Sequence, residues 1–163
     1  MKDLLQQCTA YTAWANQKLF DCICNLHEEQ LTREITSSFP SIQKTVLHMW
    51  DADAIWWQRL KFEERITRPS DEFTGNFPDL VKKSLQQSAT WKEWVDNATE
   101  VQLQHVFAYQ NTKKEQFKQP VYEMLLHLSN HATYHRGQLV TMLRQLGVDK
   151  IPQTDFVVFC RKK

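Results

Sequence analysis

Two histidines four residues apart, His131 and His135, stand inside an apolar helical stripe, in the run HATYHRGQL. Residues four apart on an α-helix face the same side, so the two imidazoles converge on one point. A buried pair of neutral imidazoles is costly unless the ring nitrogens are satisfied, and a divalent metal ion satisfies them well. Two nitrogens are too few for a tight site, and His48, in the second long amphipathic segment, is the best candidate for a third ligand. The residues therefore predict a metal site, with hydrogen-bonded core histidines as the alternative.

A further histidine, His127, lies one turn before this pair. Each four-residue step along a helix rotates the side-chain direction by about 40°. Relative to the apolar stripe, His135 deviates by about 20°, His131 by about 60° and His127 by about 100°. The stripe is centred on Val121, Leu128, Leu139 and Leu146. We therefore assign His131 and His135 as inward-facing ligands, and His127 as a neighbour that packs against them or orients them.

Two carboxylates follow His48 closely, Asp51 three residues later and Asp53 five residues later. Histidines that bind a metal usually donate their second N–H to a carboxylate or a carbonyl. Asp51 is therefore a candidate for orienting an imidazole or accepting a proton, and Asp53 is a second candidate. The alternative for both is a solvated helix surface.

Two residues that directly follow His135 also invite a functional interpretation. Arg136 could hold an anionic group of a substrate, but a structural pairing with a carboxylate is favoured. Gly137 lies inside a predicted helix, where glycine costs about 1 kcal/mol relative to alanine. Because the chain has only three glycines, we expect Gly137 to permit the close approach of another helix or of a ligand.

The apolar periodicity predicts four helices that would position these side chains. They cover Leu4–Leu26, Ile42–Lys61, Pro78–Ala98 and Pro120–Gly147, with a loop over Phe62–Phe77 and a short hairpin or irregular crossover over His105–Gln119. The segment Asp155–Cys160 is β-prone and predicts an ordered tail on the bundle. The predicted fold class is all-α, an up-and-down four-helix bundle with a short crossover hairpin before the last helix, forming a single domain over residues 1–163.

Composition narrows the classes of function. The chain has 20 basic and 19 acidic residues and a net charge of +1, which leaves no electrostatic footprint for nucleic acid. Polar residues interrupt every apolar run near the N-terminus, so we expect neither a signal peptide nor a membrane span there. We therefore expect a cytoplasmic protein. The four cysteines predict small packing or surface thiols, because Cys22 and Cys24 point about 200° apart on a helix and cannot share a metal ion.

Several segments resemble the DinB-like (YfiT-like) superfamily of metalloenzymes. They are YTAWAN over 11–16, His48 with the downstream Trp56-Trp57, HLSNHATYHRGQ over 127–138, and LRQLG over 143–147 with Pro152 and Asp155. The resemblance implies an up-and-down bundle with an unusual helix connection, often as a homodimer. It also implies a site of three histidines, matched here by His48, His131 and His135, that holds nickel or zinc with open positions for water.

Some members of that superfamily are transferases that join a low-molecular-weight thiol, such as bacillithiol, mycothiol or glutathione, to an electrophile. The resemblance thus suggests a divalent-metal-dependent transferase with a small-molecule substrate. Asp51, from its position near His48, or a hydroxide bound to the metal, is a candidate proton acceptor for this reaction. A metal-dependent hydrolase of small substrates is the second hypothesis. Peptidase activity is disfavoured, because the helical histidine pair lacks the adjacent glutamate of zinc peptidases. The third hypothesis is a non-catalytic, stress-related protein that binds a metal or a small molecule.

Overall fold

Four long helices form the body of the protein. The computed structural model describes residues 1–111 and 113–161. Its helices are α1 (Lys2–Ile23), α2 (Glu28–Thr32), α3 (Ile42–Leu60), α4 (Phe77–Asn97), α5 (Glu100–Gln104), α6 (Val121–Gln145) and α7 (Phe156–Cys160), and its strands are β1 (Val106–Gln110) and β2 (Gln116–Pro120). The predicted all-α four-helix bundle is confirmed, with α1, α3, α4 and α6 in the predicted places.

Helices that follow one another in the sequence are not all neighbours in the bundle. Helix α1 packs against α4 and α6, and α3 packs against the same two helices. The first and second long helices therefore lie at opposite corners, and the segment 24–41, which contains α2, carries the chain between them. The site discussed below lies where α3 meets α6.

The ends of the long helices follow the local signals in the sequence. The hydroxyl of Ser41 accepts a hydrogen bond from the backbone N–H of Lys44 and caps α3. Asn76 and Asp79 form a reciprocal capping box at the start of α4. Helix α6 starts directly after Pro120 and ends before Gly147, which has a φ of +79°. These caps place α3, α4 and α6 within a few residues of their predicted limits.

The interior consists of two apolar clusters separated by buried polar residues. One cluster lies around Leu19, Phe20, Ile42, Val46 and Leu139, and the other around Val95, Leu103, Phe107, Val121 and Met124. Asn16, Asp53 and Ser88 are buried between the clusters, and Arg136 reaches this level from α6. We call these four residues the polar layer. This layer includes a guanidinium and a carboxyl, and burying such groups costs free energy unless hydrogen bonds or opposite charges compensate them.

The hairpin before the last helix is confirmed. Strands β1 and β2 pair antiparallel, with Val106 opposite Pro120 and Gln110 opposite Gln116. Near the middle of the hairpin, the backbone N–H of Asn111 donates to the carbonyl oxygen of Glu115, whereas Thr112 lies outside the described residues.

The C-terminal segment is ordered on the bundle as expected, but its β-prone composition is misleading. Residues Phe156–Cys160 form the helix α7. Phe156 and Phe159 are three residues apart on one helical face, and their rings lie 5.1 and 5.9 Å from the ring of Tyr11 on α1. Tertiary packing of the two aromatic rings therefore overrides the local β propensity.

Across residues 1–111 and 113–161, the helices are all too short or too polar to cross a bilayer.

Candidate metal centre

Three imidazoles from two helices meet at one point. His48 projects from α3, and His131 and His135 project from α6. The Nε2 atom of His131 lies 3.0 Å from Nε2 of His48 and 3.1 Å from Nε2 of His135. The donor atoms of all three residues lie within 4.8 Å of one another. The packing of α3 on α6 thus brings together side chains that are 83 positions apart in the sequence.

This arrangement fits a bound metal ion better than it fits hydrogen bonding alone. Two nitrogens at about 2.1 Å from one ion, in neighbouring coordination positions, lie about 3.0 to 3.4 Å apart. Both short contacts of His131 match that spacing. A neutral imidazole nitrogen carries either one N–H or one lone pair. Nε2 of His131 therefore cannot form two good hydrogen bonds at once, whereas a single ion would satisfy all three nitrogens.

Burial keeps the cluster uncharged at neutral pH. Burial, with a smaller effect from the nearby His135, lowers the pKa of His48 to about 4. Burial, together with smaller effects from the three other imidazoles around it, lowers the pKa of His131 to about 3. The pKa of His135 is lowered by burial, against a hydrogen bond that raises it. The rings are therefore neutral and keep the lone pairs that metal ligation requires.

The segment before α3 covers one side of the cluster. The ring of Phe39 stacks on the ring of His48, with centroids 4.0 Å apart and planes inclined by 22°.

The Nδ1 atom of His135 lies 2.7 Å from Oε1 of Gln138. Sequence reasoning missed Gln138, although its position three residues after His135, on the same helical face, was a usable signal.

The two aspartates considered from the sequence have other partners. Both carboxylate oxygens of Asp51 accept hydrogen bonds from Ser70, one from its backbone N–H at 2.9 Å and one from its hydroxyl at 2.5 Å. Asp53 is buried, and burial raises the pKa of its carboxyl to about 7 despite the attraction of Arg136. Neither aspartate lies on the solvated surface that was the alternative. The role of Asp51 as a proton acceptor stays a prediction.

Three residues of α6 near the cluster occupy distinct environments. His127 is exposed, and its ring centroid lies 5.8 Å from that of His131. Arg136 is 2% exposed and donates hydrogen bonds to Asn16 Oδ1 and Thr133 Oγ1, so its role is structural, although these partners are an amide and a hydroxyl and not the expected carboxylate. Among the described residues outside its own stretch of helix, a Cβ atom added at Gly137 would meet no atom within 4 Å. The expectation that Gly137 permits the close approach of another helix is therefore wrong, and the close approach of a ligand stays a prediction.

Comparison with known proteins agrees with this architecture. The model of the DinB family matches residues 1–162. Protein DinB of Bacillus subtilis (strain 168) is 29% identical over 168 residues, which cover 98% of this chain and 95% of that protein.

Similar solved structures have the same fold at low sequence identity. YfiT from Bacillus subtilis, described as a probable metal-dependent hydrolase with an unusual four-helix bundle topology, matches with a TM-score of 0.72 and 15% identity over 90% of each chain. A DinB-like protein from Bacillus cereus matches with a TM-score of 0.67 and 19% identity, over 88% of this chain and 91% of that one. The DinB-like protein YjoA from Bacillus subtilis matches with a TM-score of 0.69 and 14% identity, over 91% of this chain and 98% of that one.

Proposed function

This chain belongs to the DinB family, and on that basis we propose that it is a divalent-metal-dependent enzyme that acts on small molecules. More narrowly, we propose a transferase that joins a low-molecular-weight thiol to an electrophile, with nickel or zinc as the metal. The observation that supports the proposal is the cluster of three neutral imidazoles on α3 and α6.

In this proposal, His48, His131 and His135 hold the ion through their Nε2 atoms. Three protein ligands are the number that catalytic zinc sites use, whereas structural sites use four. Because all three imidazoles are neutral, the protein adds no negative charge at the centre. An ion bound there would supply a positive charge that favours the thiolate form of a thiol at neutral pH.

The overall reaction is balanced without a further reactant. A bond forms between the thiol sulfur and the electrophilic carbon, the bond from that carbon to its leaving group breaks, and the thiol proton is released. We propose Asp51 as the residue that accepts this proton. Both of its oxygens are bound by Ser70, so the role requires Ser70 to release one of them. Replacing Asp51 by asparagine and Ser70 by alanine separately tests this step, because only the first should slow conjugation.

Hydrolysis of small esters or amides is the second candidate function. It is favoured by the likeness to YfiT, which is described as a probable metal-dependent hydrolase. Within the described part of the chain, the cluster contains imidazoles and no carboxylate. Peptide hydrolysis of the zinc-peptidase kind therefore lacks its usual base.

The test uses protein purified without a polyhistidine tag, stripped with a chelator and reloaded with zinc or nickel. We expect one ion per chain in the wild type, none in His135→Ala, and full occupancy in His105→Ala, a control at an exposed histidine. Loaded protein is then incubated with thiols and monochlorobimane, and separately with p-nitrophenyl acetate. Metal-dependent conjugation supports the transferase, and ester hydrolysis alone supports the second candidate. Metal binding without either reaction supports a non-catalytic protein, and failure to bind metal overturns the proposal.

The homodimer and the cytoplasmic location stay predictions. Light scattering of the eluted protein during size-exclusion chromatography would determine the oligomeric state. Fractionation of cells that express the protein would determine its location.

A further inference from the structure

Gln138 connects a histidine of the cluster to the segment that precedes α3. Its Oε1 atom lies 2.7 Å from Nδ1 of His135. Its Nε2 atom lies 2.8 Å from the hydroxyl of Ser38 and 3.1 Å from the hydroxyl of Tyr134. These two hydroxyls are themselves 3.3 Å apart. The amide of Gln138 thus has a partner on both of its ends.

The contact with Gln138 bears on which nitrogen of His135 carries the proton. A neutral imidazole has one N–H and one lone pair, and a carbonyl oxygen can only accept. With Oε1 of Gln138 at Nδ1, the proton of His135 lies on Nδ1 and the lone pair lies on Nε2. Nε2 is the atom that faces His131. The tautomer that Gln138 selects is therefore the one that a metal ion requires.

The orientation of the Gln138 amide depends on residues far away in the sequence. Ser38 is 100 positions from Gln138, and its neighbour Phe39 stacks on His48. The segment 38–39 therefore contacts one imidazole directly and another through Gln138. Tyr134 supplies the second hydroxyl from α6 itself, one turn before Gln138.

We propose that Gln138, oriented by Ser38 and Tyr134, is a positioning residue that holds His135 in the Nδ1–H tautomer and aims its Nε2 lone pair at the metal position. This inference rests on the proposed metal site. Partners of this kind that orient a metal-binding histidine typically change metal affinity by about 10- to 100-fold when they are removed.

The first experiment measures the tautomer directly in the metal-free protein. Nitrogen NMR of ¹⁵N-histidine-labelled protein at neutral pH distinguishes a protonated ring nitrogen from an unprotonated one. We expect His135 to carry its proton on Nδ1 in the wild type and in Gln138→Glu, which keeps an acceptor oxygen. We expect Gln138→Leu to lose this preference, and Gln145→Leu, a control on the same helix, to keep it.

The second experiment measures zinc affinity of the same four proteins by competition with a chromophoric chelator. Gln138→Leu should bind zinc about 10- to 100-fold more weakly, while Gln138→Glu and Gln145→Leu should stay close to the wild type. Should Gln138→Leu fail to fold, the double variant Ser38→Ala with Tyr134→Phe removes the orienting hydroxyls and should weaken binding in the same direction.

Two results would overturn the inference. One is a proton on Nε2 of His135 in the metal-free wild type, which would mean that the amide of Gln138 is turned the other way. The other is a zinc affinity in Gln138→Leu equal to that of the wild type. A correct tautomer in a wild-type protein that binds no metal would instead refute the proposed function and leave the positioning by Gln138 intact.

Discussion

Replacement of Asp53 by asparagine tests the electrostatics of the polar layer. The carboxyl is 9% exposed, and burial raises its pKa from 3.8 to about 7, against the attraction of Arg136. Between these two pH values the folded protein holds a proton that the unfolded chain has released. Stability contributed by this proton is therefore present at low pH, declines as the pH rises from about 4 to about 7, and changes no further above that.

The size of the effect follows from the same pKa. The interval from about pH 5 to the pKa of about 7 is two pH units, and each unit corresponds to 1.36 kcal/mol. Over this interval the free energy of unfolding of the wild type therefore falls by about 3 kcal/mol. Asparagine has nearly the shape of the protonated carboxyl and does not titrate. As the pH rises from about 5 to about 8, the free energy of unfolding of Asp53→Asn should therefore increase by about 3 kcal/mol relative to that of the wild type. The lowered pKa values of His48 and His131 stabilise both proteins as the pH rises, and they cancel in the difference.

The assay is urea unfolding of metal-free protein at the two pH values, with a chelator present so that metal binding does not contribute. Asp149→Asn, an exposed replacement of the same kind, is the control and should track the wild type. A difference between Asp53→Asn and the wild type that does not change with pH would refute the reasoning. Lower stability of Asp53→Asn at the higher pH would show that attraction to Arg136 outweighs burial.

Three further predictions concern α6 and the cluster. Gly137→Ala should raise the free energy of unfolding by up to about 1 kcal/mol because the added Cβ meets open space, whereas Gly147→Ala should lower it by about 1 kcal/mol because φ is +79°; equal signs in urea unfolding would contradict this. Arg136→Met should lower the free energy of unfolding by about 1 to 3 kcal/mol in the same assay because the buried amide oxygen of Asn16 loses its donor, and unchanged stability would be inconsistent with that burial. Zinc affinity should fall less between about pH 7 and about pH 5.5 than the roughly tenfold loss per ligand expected of ordinary histidines, because the pKa values of His48 and His131 lie near 4 and 3 and that of His135 is also lowered; chelator competition that shows the full loss for three ligands would contradict this.

Much of the fold could be predicted from local signals in the sequence. The long helices have apolar periodicity over five or more turns, and residues such as Ser41 and Pro78 mark their starts. The five-residue helices α2 and α5 were missed because one turn is too short to establish a period. Helix α7 was misjudged because its conformation depends on packing against Tyr11, which no local propensity contains.

The candidate site was predictable only in part, because some of its contacts depend on tertiary packing and not on local sequence. The four-residue spacing of His131 and His135 is a property of one helix, so the sequence was sufficient to propose that they converge. The contacts of Ser38 and Phe39 depend on the path of an irregular segment that has no periodic pattern. Asp51 was assessed without the loop that brings Ser70 to it, so its actual hydrogen-bond partner could not be foreseen.

The polar layer between the apolar clusters has a consequence for how the four helices align lengthwise. Apolar side chains can exchange neighbours when one helix slides along another, but the hydrogen bond from Arg136 on α6 to Asn16 on α1 would be lost if α6 slid along α1. Sliding α6 by one turn would displace His131 by about 5.4 Å from a partner nitrogen now 3.0 Å away. We therefore expect Arg136, by holding α6 against α1, to help keep His131 and His135 at the level of His48 on α3. Arg136→Met should then also weaken zinc binding, and unchanged zinc affinity would reject this role.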